Sequence, residues 1–118
     1  MNSLELTKEI AKILDNKKAH KIDIIKIREL TIISDYFVIA SATNTTHVKS
    51  LVDEVEFQLK QNFGRAPERV EGYDNANWII LDYNDVMVHV FYEETRNYYN
   101  LEKLWADGEK VDVEEILK

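Results

Sequence analysis

The chain has 118 residues, of which 45% are hydrophobic, and it contains three glycines, one proline and no cysteine. This composition predicts a single compact domain over residues 1–118, and the lack of cysteine excludes disulfides, thiolate metal sites and cysteine nucleophiles. The formal net charge of −7, from 22 acidic and 15 basic residues, disfavours nucleic-acid binding as the main source of affinity and suits a basic protein partner.

The distribution of apolar residues indicates whether the protein is exported or inserted into a membrane. The opening "MNSLELTKEIAKILD" alternates charged and apolar residues without a basic segment followed by an apolar block, so we expect no signal peptide. No apolar run approaches the roughly 20 residues that are needed to cross a bilayer. We therefore expect a soluble, cytoplasmic protein that does not associate with membranes.

The first part of the chain predicts one helix and two strands. Ser3 can cap a helix whose apolar residues recur at i, i+4, i+7 and i+8, which gives one buried stripe. Residues 21–27 alternate as a strand does, and the nearly continuous apolar run 35–42 predicts a central strand that is covered on both faces. The helical stripe consists of Leu6, Ile10, Ile13 and Leu14.

A second helix is predicted in the middle of the chain. Asn44 or Thr45 is the candidate N-cap, and Gly64 can adopt the left-handed conformation at the C-terminal end, just before Pro67 prevents continuation. Its apolar residues at helical spacing are Val48, Leu51, Val52, Val55, Leu59 and Phe63.

The last part of the chain predicts a strand at "ERVEG", a β-hairpin and then short helical turns that pack Leu101, Leu104 and Trp105 onto the sheet. The order of elements is helix, two strands, helix, three strands and short helices. We therefore expect the α/β class, with helices packed on a mixed sheet of about five strands.

The hairpin "WIILDYNDVMVHVFY" has a predicted register. A two-residue turn at Asn84 and Asp85 places Tyr83 opposite Val86, and the pairs further along the hairpin follow from that. One face is then uniformly apolar, which predicts burial against the helices. The other face mixes aromatic, polar and charged groups, as protein interfaces do, and it carries Trp78, Ile80, Asp82, Met87, His89 and Phe91.

Catalytic and metal-binding alternatives have weaker support. Asp82 and Asp85 are candidates for Mg²⁺-dependent phosphoryl transfer, but the chain lacks a glycine-rich phosphate loop, and turn chemistry also explains them. His20, His47 and His89 share no short ligand spacing, and no serine lies in a nucleophile elbow. We expect no catalytic residue, metal or cofactor.

Three residues near the C-terminal end are open to two interpretations. Arg96, Tyr98 and Tyr99 are residue types that recur at interface hot spots, so they are candidates for partner recognition. They would equally serve to anchor the last helical segment. Arg96 and Tyr99 join the predicted partner-binding set. Because a face bearing Trp78, Met87 and Phe91 is unfavourable in water, we also expect a symmetric homodimer that uses part of that face when no other partner is present.

The segments "SDYFVIASATNTTHVKSL" and "NWIILDYNDVMVHVFYEETRNYYNLEKLW" resemble the ribosomal silencing factor family, also called Iojap, over residues 3–107. The matching pattern is a Trp before a hydrophobic run, two Asp around a turn, "VHVF", and an ending of the form R-x-x-Y-x-L-E-x-L-W. Asn84 and Ala42 depart from it at positions where the family commonly has glycine.

The resemblance implies a fold like that of nucleotidyltransferases without their chemistry. It also implies a function in translation. Such a protein would bind the large ribosomal subunit through its fourteenth protein, block association with the small subunit and repress translation under nutrient limitation. The alternative is a nucleotidyltransferase-like, metal-dependent enzyme that uses Asp82 and Asp85.

Overall fold

The structure, a computed structural model, describes residues 1–27 and 34–118. The helices and strands follow one another in the order that the sequence predicts, with a short strand and a last helix added at the C-terminal end. In chain order they are α1 (Ser3–Asn16), β1 (His20–Lys26), β2 (Tyr36–Ala42), α2 (Thr45–Phe63), β3 (Arg69–Glu71), β4 (Trp78–Asp82), β5 (Val86–Tyr92), α3 (Glu93–Tyr99), α4 (Leu101–Leu104), β6 (Glu109–Val111) and α5 (Val113–Leu117).

The strands of the described ranges form one six-stranded sheet in the order β3-β4-β5-β2-β1-β6. The β2–β5 pair is parallel, whereas the other neighbours run antiparallel, so the predicted mixed α/β architecture is confirmed. The sheet has one strand more than expected because the three-residue β6 pairs with β1. No helix in the described ranges is long and apolar enough to span a bilayer.

Both long helices begin at an asparagine cap. The Asn2 side chain accepts a hydrogen bond from the Glu5 N–H at 2.8 Å, so the predicted cap at Ser3 is wrong by one residue. Asn44 caps α2 as predicted, by accepting from the His47 N–H at 2.7 Å. Gly64 ends α2 in the left-handed conformation with φ of 66°.

The main core lies between α1, α2 and one face of the sheet. Every residue of β2 is buried, which confirms the prediction of a central strand. The inner face of the hairpin also lies in this core, and the predicted register is observed, with Ile79 opposite Val90 and Leu81 opposite Val88. Asn84 closes the turn with φ of 76°, a conformation that asparagine tolerates better than most residues.

A second, smaller core covers part of the opposite face. After α3, the left-handed Asn100 turns the chain so that Leu101 is buried and the Trp105 ring packs edge-on against Phe37 at 5.3 Å. Leu104 is 75% exposed, so its predicted place in the core is wrong, because the one-turn α4 ends there and Trp105 makes the sheet contact instead. The buried members are Ile25, Ile27, Phe37, Ile39, Phe91 and Leu101.

Candidate partner-binding surface

The candidate surface is the outer face of the β4–β5 hairpin, on the side opposite to the main core. The six residues predicted there lie together. Every second residue of a strand lies on the same side of the pleat, and cross-strand pairing brings such residues of β4 and β5 next to each other. The pairs are Trp78 with Phe91, Ile80 with His89, and Asp82 with Met87.

This face is not uniformly accessible. His89 is 4% exposed and Phe91 is fully buried, because the second core extends over the β5 side of the face. The prediction that these two side chains contact a partner is corrected on this point, since neither presents surface in this fold. Sequence alternation identified the face but carried no information about what folds back onto it.

The accessible part of the face lies mainly on β4. Trp78, Ile80 and Asp82 are partly exposed, as is Met87 at the start of β5. Tyr99, at the end of α3, is 55% exposed, and its ring lies 5.0 Å from that of Trp78. We call these five residues, Trp78, Ile80, Asp82, Met87 and Tyr99, the hairpin surface.

Two contacts within the chain hold the Trp78 side chain in place. Its indole stacks on the buried Phe91 ring, with centroids 4.9 Å apart and planes 26° apart. Its Nε1–H donates a hydrogen bond to Nδ1 of His89 at 3.1 Å. The indole is therefore fixed by a stacking contact and by a polar contact, and its remaining accessible atoms are apolar.

His89 is a neutral, internal hydrogen-bond acceptor. Because Nδ1 accepts from Trp78, the ring proton must reside on Nε2. Burial lowers the pKa of His89 to about 4, since a charged imidazolium would lose its hydration there. The Phe37 ring packs against it at 4.6 Å. A histidine held in this way is unsuited to act as a general base near neutral pH.

Arg96 is a buried structural residue. It is 4% exposed, and its guanidinium donates to Glu102 at 2.6 Å, to the Lys21 carbonyl at 2.6 Å and to Asp23 at 2.8 Å. Nη1 also donates to the hydroxyl of Ser41 at 3.1 Å. Of the two interpretations of Arg96, the structure supports anchoring, and the prediction of direct partner contact is corrected because its donors are used within the chain.

The two aspartates at the turn are each engaged. Asp82 accepts from Arg69 at 3.1 Å and from the Asn84 N–H at 2.8 Å, which is turn chemistry. Asp85 lies 3.4 Å from the guanidinium of Arg65. Within the described part of the chain, no group of three or more His, Cys, Asp and Glu side chains is placed to hold a metal ion.

An open cleft of about 720 Å³ adjoins the hairpin surface at Trp78. Tyr98 is 83% exposed at its edge, and its ring packs edge-on against that of Tyr99 at 5.1 Å. The cleft is lined by Gly72, Asn75, Asn77, Trp78, Tyr92, Glu94, Thr95, Tyr98 and Tyr99.

Comparison with known proteins identifies the family. The sequence matches RsfS, described as ribosomal silencing factor during starvation, over residues 1–118. The chain belongs to the RsfS family. It is similar to the ribosomal silencing factor RsfS of Bacillus subtilis, with 35% identity over 97% of this chain and 96% of the relative. The corresponding protein of Halalkalibacterium halodurans is 34% identical over 99% of both chains.

A solved structure is also similar to this RsfS family member. The crystal structure of a protein from Chromobacterium violaceum matches it with a TM-score of 0.86 at 29% identity, covering 95% of this chain and 92% of that one. The mixed sheet and its flanking helices are thus shared with an experimentally determined structure.

Sequence reasoning missed the internal partner of Trp78, although the register contained a signal for it. With Trp78 opposite Phe91, His89 is the diagonal neighbour two residues away on the same face. Diagonal neighbours on one face of an antiparallel pair lie within reach of aromatic side chains. A histidine at such a position is a candidate acceptor for an indole N–H.

Proposed function

We propose that this RsfS family member is a ribosomal silencing factor that acts in the cytoplasm under nutrient limitation. It docks on the large ribosomal subunit, at the fourteenth protein of that subunit, and occupies space that the small subunit needs in order to join. The observation that carries the proposal is an accessible aromatic surface around Trp78 in a chain of this family. Repression by occupancy requires no chemistry.

The composition of the hairpin surface suits protein recognition. Trp, Tyr and Met are enriched at interfaces, and a central aromatic residue commonly dominates the binding energy. Trp78 and Tyr99 form an adjoining aromatic pair, and Ile80 and Met87 add apolar contact area beside it. Because Trp78 is already held by Phe91, little side-chain freedom is lost when it docks.

Charge favours a basic partner. The net charge of −7 raises the rate of encounter with a positively charged protein, and Asp82 contributes a carboxylate within the surface itself. Asp82 is already paired with the exposed Arg69, so its own share of the attraction is modest. Direct nucleic-acid binding is not part of the proposal.

The decisive experiment measures subunit joining. Purified small and large subunits are mixed with the protein, and association is followed by light scattering and gradient sedimentation. Wild type should reduce joining, and Trp78→Ala should weaken large-subunit binding by about 2 kcal/mol, as expected for an aromatic hot spot. The matched control is Phe57→Ala, which removes a 62% exposed aromatic ring from α2, on the other side of the sheet.

Two results would reject the proposal. Steric silencing is wrong if wild type leaves joining unchanged at concentrations that saturate the large subunit. The docking face is misplaced if Trp78→Ala binds as well as Phe57→Ala while both remain folded.

The electrostatic part has its own test. Asp82→Lys should weaken large-subunit binding more than Asp15→Lys, which makes the same change in charge at an exposed position on α1. Wild-type affinity should also fall as salt concentration rises, because opposite charges contribute to the attraction. Equal effects of the two substitutions would indicate that only the overall field matters.

We also propose a homodimer in the absence of the ribosome. Trp78, Met87 and Tyr99 are apolar or aromatic side chains left accessible on one face, and a second copy of the chain would cover them. Sedimentation should detect a dimer that Trp78→Ala weakens. A strict monomer at high concentration for both proteins would contradict this.

The absence of catalysis is likewise a proposal. A metal-dependent nucleotidyltransferase would need carboxylates free to hold Mg²⁺, whereas Asp82 and Asp85 are engaged by Arg69 and Arg65. Calorimetry with nucleotides and Mg²⁺ should give no binding heat. Magnesium-dependent turnover that disappears in Asp82→Ala would favour the enzyme instead.

A further inference from the structure

The hydrogen bond between Trp78 and His89 joins a partly exposed side chain to a buried side chain on the same face of the sheet. The Trp78 side chain has one polar atom, Nε1, and its hydrogen is donated to Nδ1 of the buried His89, whose ring contacts Phe37 and Phe91 of the second core. His89 belongs to β5 and Trp78 to β4, so the bond crosses the hairpin from core to surface.

We propose that His89 is a positioning residue for docking, which holds the Trp78 indole in its binding orientation by accepting the Nε1–H at Nδ1. This inference rests on the proposed function, in which Trp78 is the anchor of the interface. Without the acceptor, the indole N–H would be left unpaired unless the ring turned toward water. Such a rotation would remove the indole from its stack on Phe91 and change the shape offered to the partner.

A purely space-filling role for His89 fits the structure less well. Its Nε2–H is buried and has no hydrogen-bond partner among the described residues. An unpaired buried donor is unfavourable, whereas an apolar side chain of similar size would fill the same space without that cost. Among the described residues, the polar interaction that distinguishes the imidazole from such a side chain is the bond to Trp78.

Two substitutions separate these roles, one that keeps an acceptor at the cost of size and one that keeps the size without an acceptor. His89→Asn can place its amide oxygen near the position of Nδ1 and so keep an acceptor, whereas His89→Leu has a similar size and no acceptor. Folding of both is first confirmed by circular dichroism and by thermal unfolding. The Trp78 indole N–H resonance, assigned by its disappearance in Trp78→Phe, then reports directly on the hydrogen bond.

The proposal predicts a difference between the two variants. His89→Asn should keep a downfield indole N–H resonance and bind large subunits within about twofold of wild type. His89→Leu should shift that resonance upfield and bind about tenfold more weakly, the equivalent of one net hydrogen bond. A packing role predicts the reverse, because leucine is better suited to an apolar core.

A double-mutant cycle provides a second measurement that does not depend on the asparagine variant. In the Trp78→Phe background there is no indole N–H, so His89→Leu should cause no further loss of affinity. Additive losses would overturn the proposal, as would wild-type affinity in His89→Leu or equal losses in His89→Asn and His89→Leu.

Failure of the proposed function is distinguishable from failure of this inference. If Trp78→Ala leaves large-subunit binding unchanged, the docking face itself is wrong and the role of His89 falls with it. If Trp78→Ala weakens binding but His89→Leu does not, the docking face stands and the positioning role is rejected.

Discussion

Arg96 is the residue whose loss should damage the fold most directly. It lies in α3, and its guanidinium contacts Asp23 and the Lys21 carbonyl on β1 as well as Glu102 on α4. It thereby fixes the segment that carries Tyr99 and the cover of the second core. Arg96→Met keeps most of the aliphatic length and removes the charge and every donor.

The expected loss of stability in Arg96→Met depends on how well the carboxylates that lose their partner can be hydrated. Breaking a buried ion pair by removing one partner costs about 3–5 kcal/mol, because the remaining charge stays desolvated. Glu102 is 18% exposed, but Asp23 is 37% exposed and can regain water, so we expect the lower end, about 3 kcal/mol. That is a large share of the roughly 5–15 kcal/mol by which such a domain is stable.

The measurement is urea unfolding followed by circular dichroism. The matched control is Arg69→Met, since Arg69 also pairs with an aspartate, Asp82, at 3.1 Å but is 69% exposed, and exposed pairs contribute about 0–1 kcal/mol. With an m-value of about 2 kcal/mol/M, Arg96→Met should lower the midpoint by about 1.5 M and Arg69→Met by less than 0.5 M. Equal midpoints for the two variants would refute the assignment of Arg96 as a buried anchor.

Further predictions concern pH and backbone geometry. Because burial lowers the pKa of His89 to about 4, against about 6.5 when unfolded, the unfolded chain binds more protons between these values. Because of His89, the free energy of unfolding should therefore fall by up to about 3 kcal/mol as the pH falls from 6.5 to 4. Unfolding curves of His89→Asn should lack this part of the pH dependence. Gly72→Ala should destabilise the protein more than Gly64→Ala. Both glycines have positive φ, but a Cβ at Gly72 would lie 2.1 Å from the Trp78 carbonyl oxygen, whereas no atom lies within 4 Å of a Cβ at Gly64. Thermal unfolding checks this, with about 1–2 kcal/mol expected at Gly64 from the left-handed backbone alone.

The hairpin was predictable because its constraints are local. Alternation of apolar and mixed residues fixes which face is buried, and a two-residue turn at Asn84 fixes the register. A one-residue slip would have placed Asp82 in the main core, which gives the sequence only one favourable solution. The central strand was predictable for a related reason, since a continuous apolar run such as 36–42 must be covered on both faces.

The burial of His89, Phe91 and Arg96 was not predictable in the same way. It depends on the direction in which the chain leaves α3, and this is set by the left-handed Asn100 and by a helix of four residues. So short a helix has no repeated apolar period from which its buried side could be read. The strand β6 was not predictable for a similar reason, because its three residues are too few to show a period and are recognised as a strand by their pairing with β1.

The boundary between core and surface on this face follows the β4–β5 pair. Among the residues that the structure describes, the second core is built on β1, β2 and β5, through residues such as Ile25 and Phe37, and it does not extend over Ile80 or Asp82 on β4. Beyond β4, the described part of the chain adds to the sheet only the three exposed residues of β3. One strand of the hairpin is therefore held by the core while its neighbour remains accessible. A side chain presented from such a strand is ordered before it binds, so docking through Trp78 would lose less conformational entropy than docking through a loop.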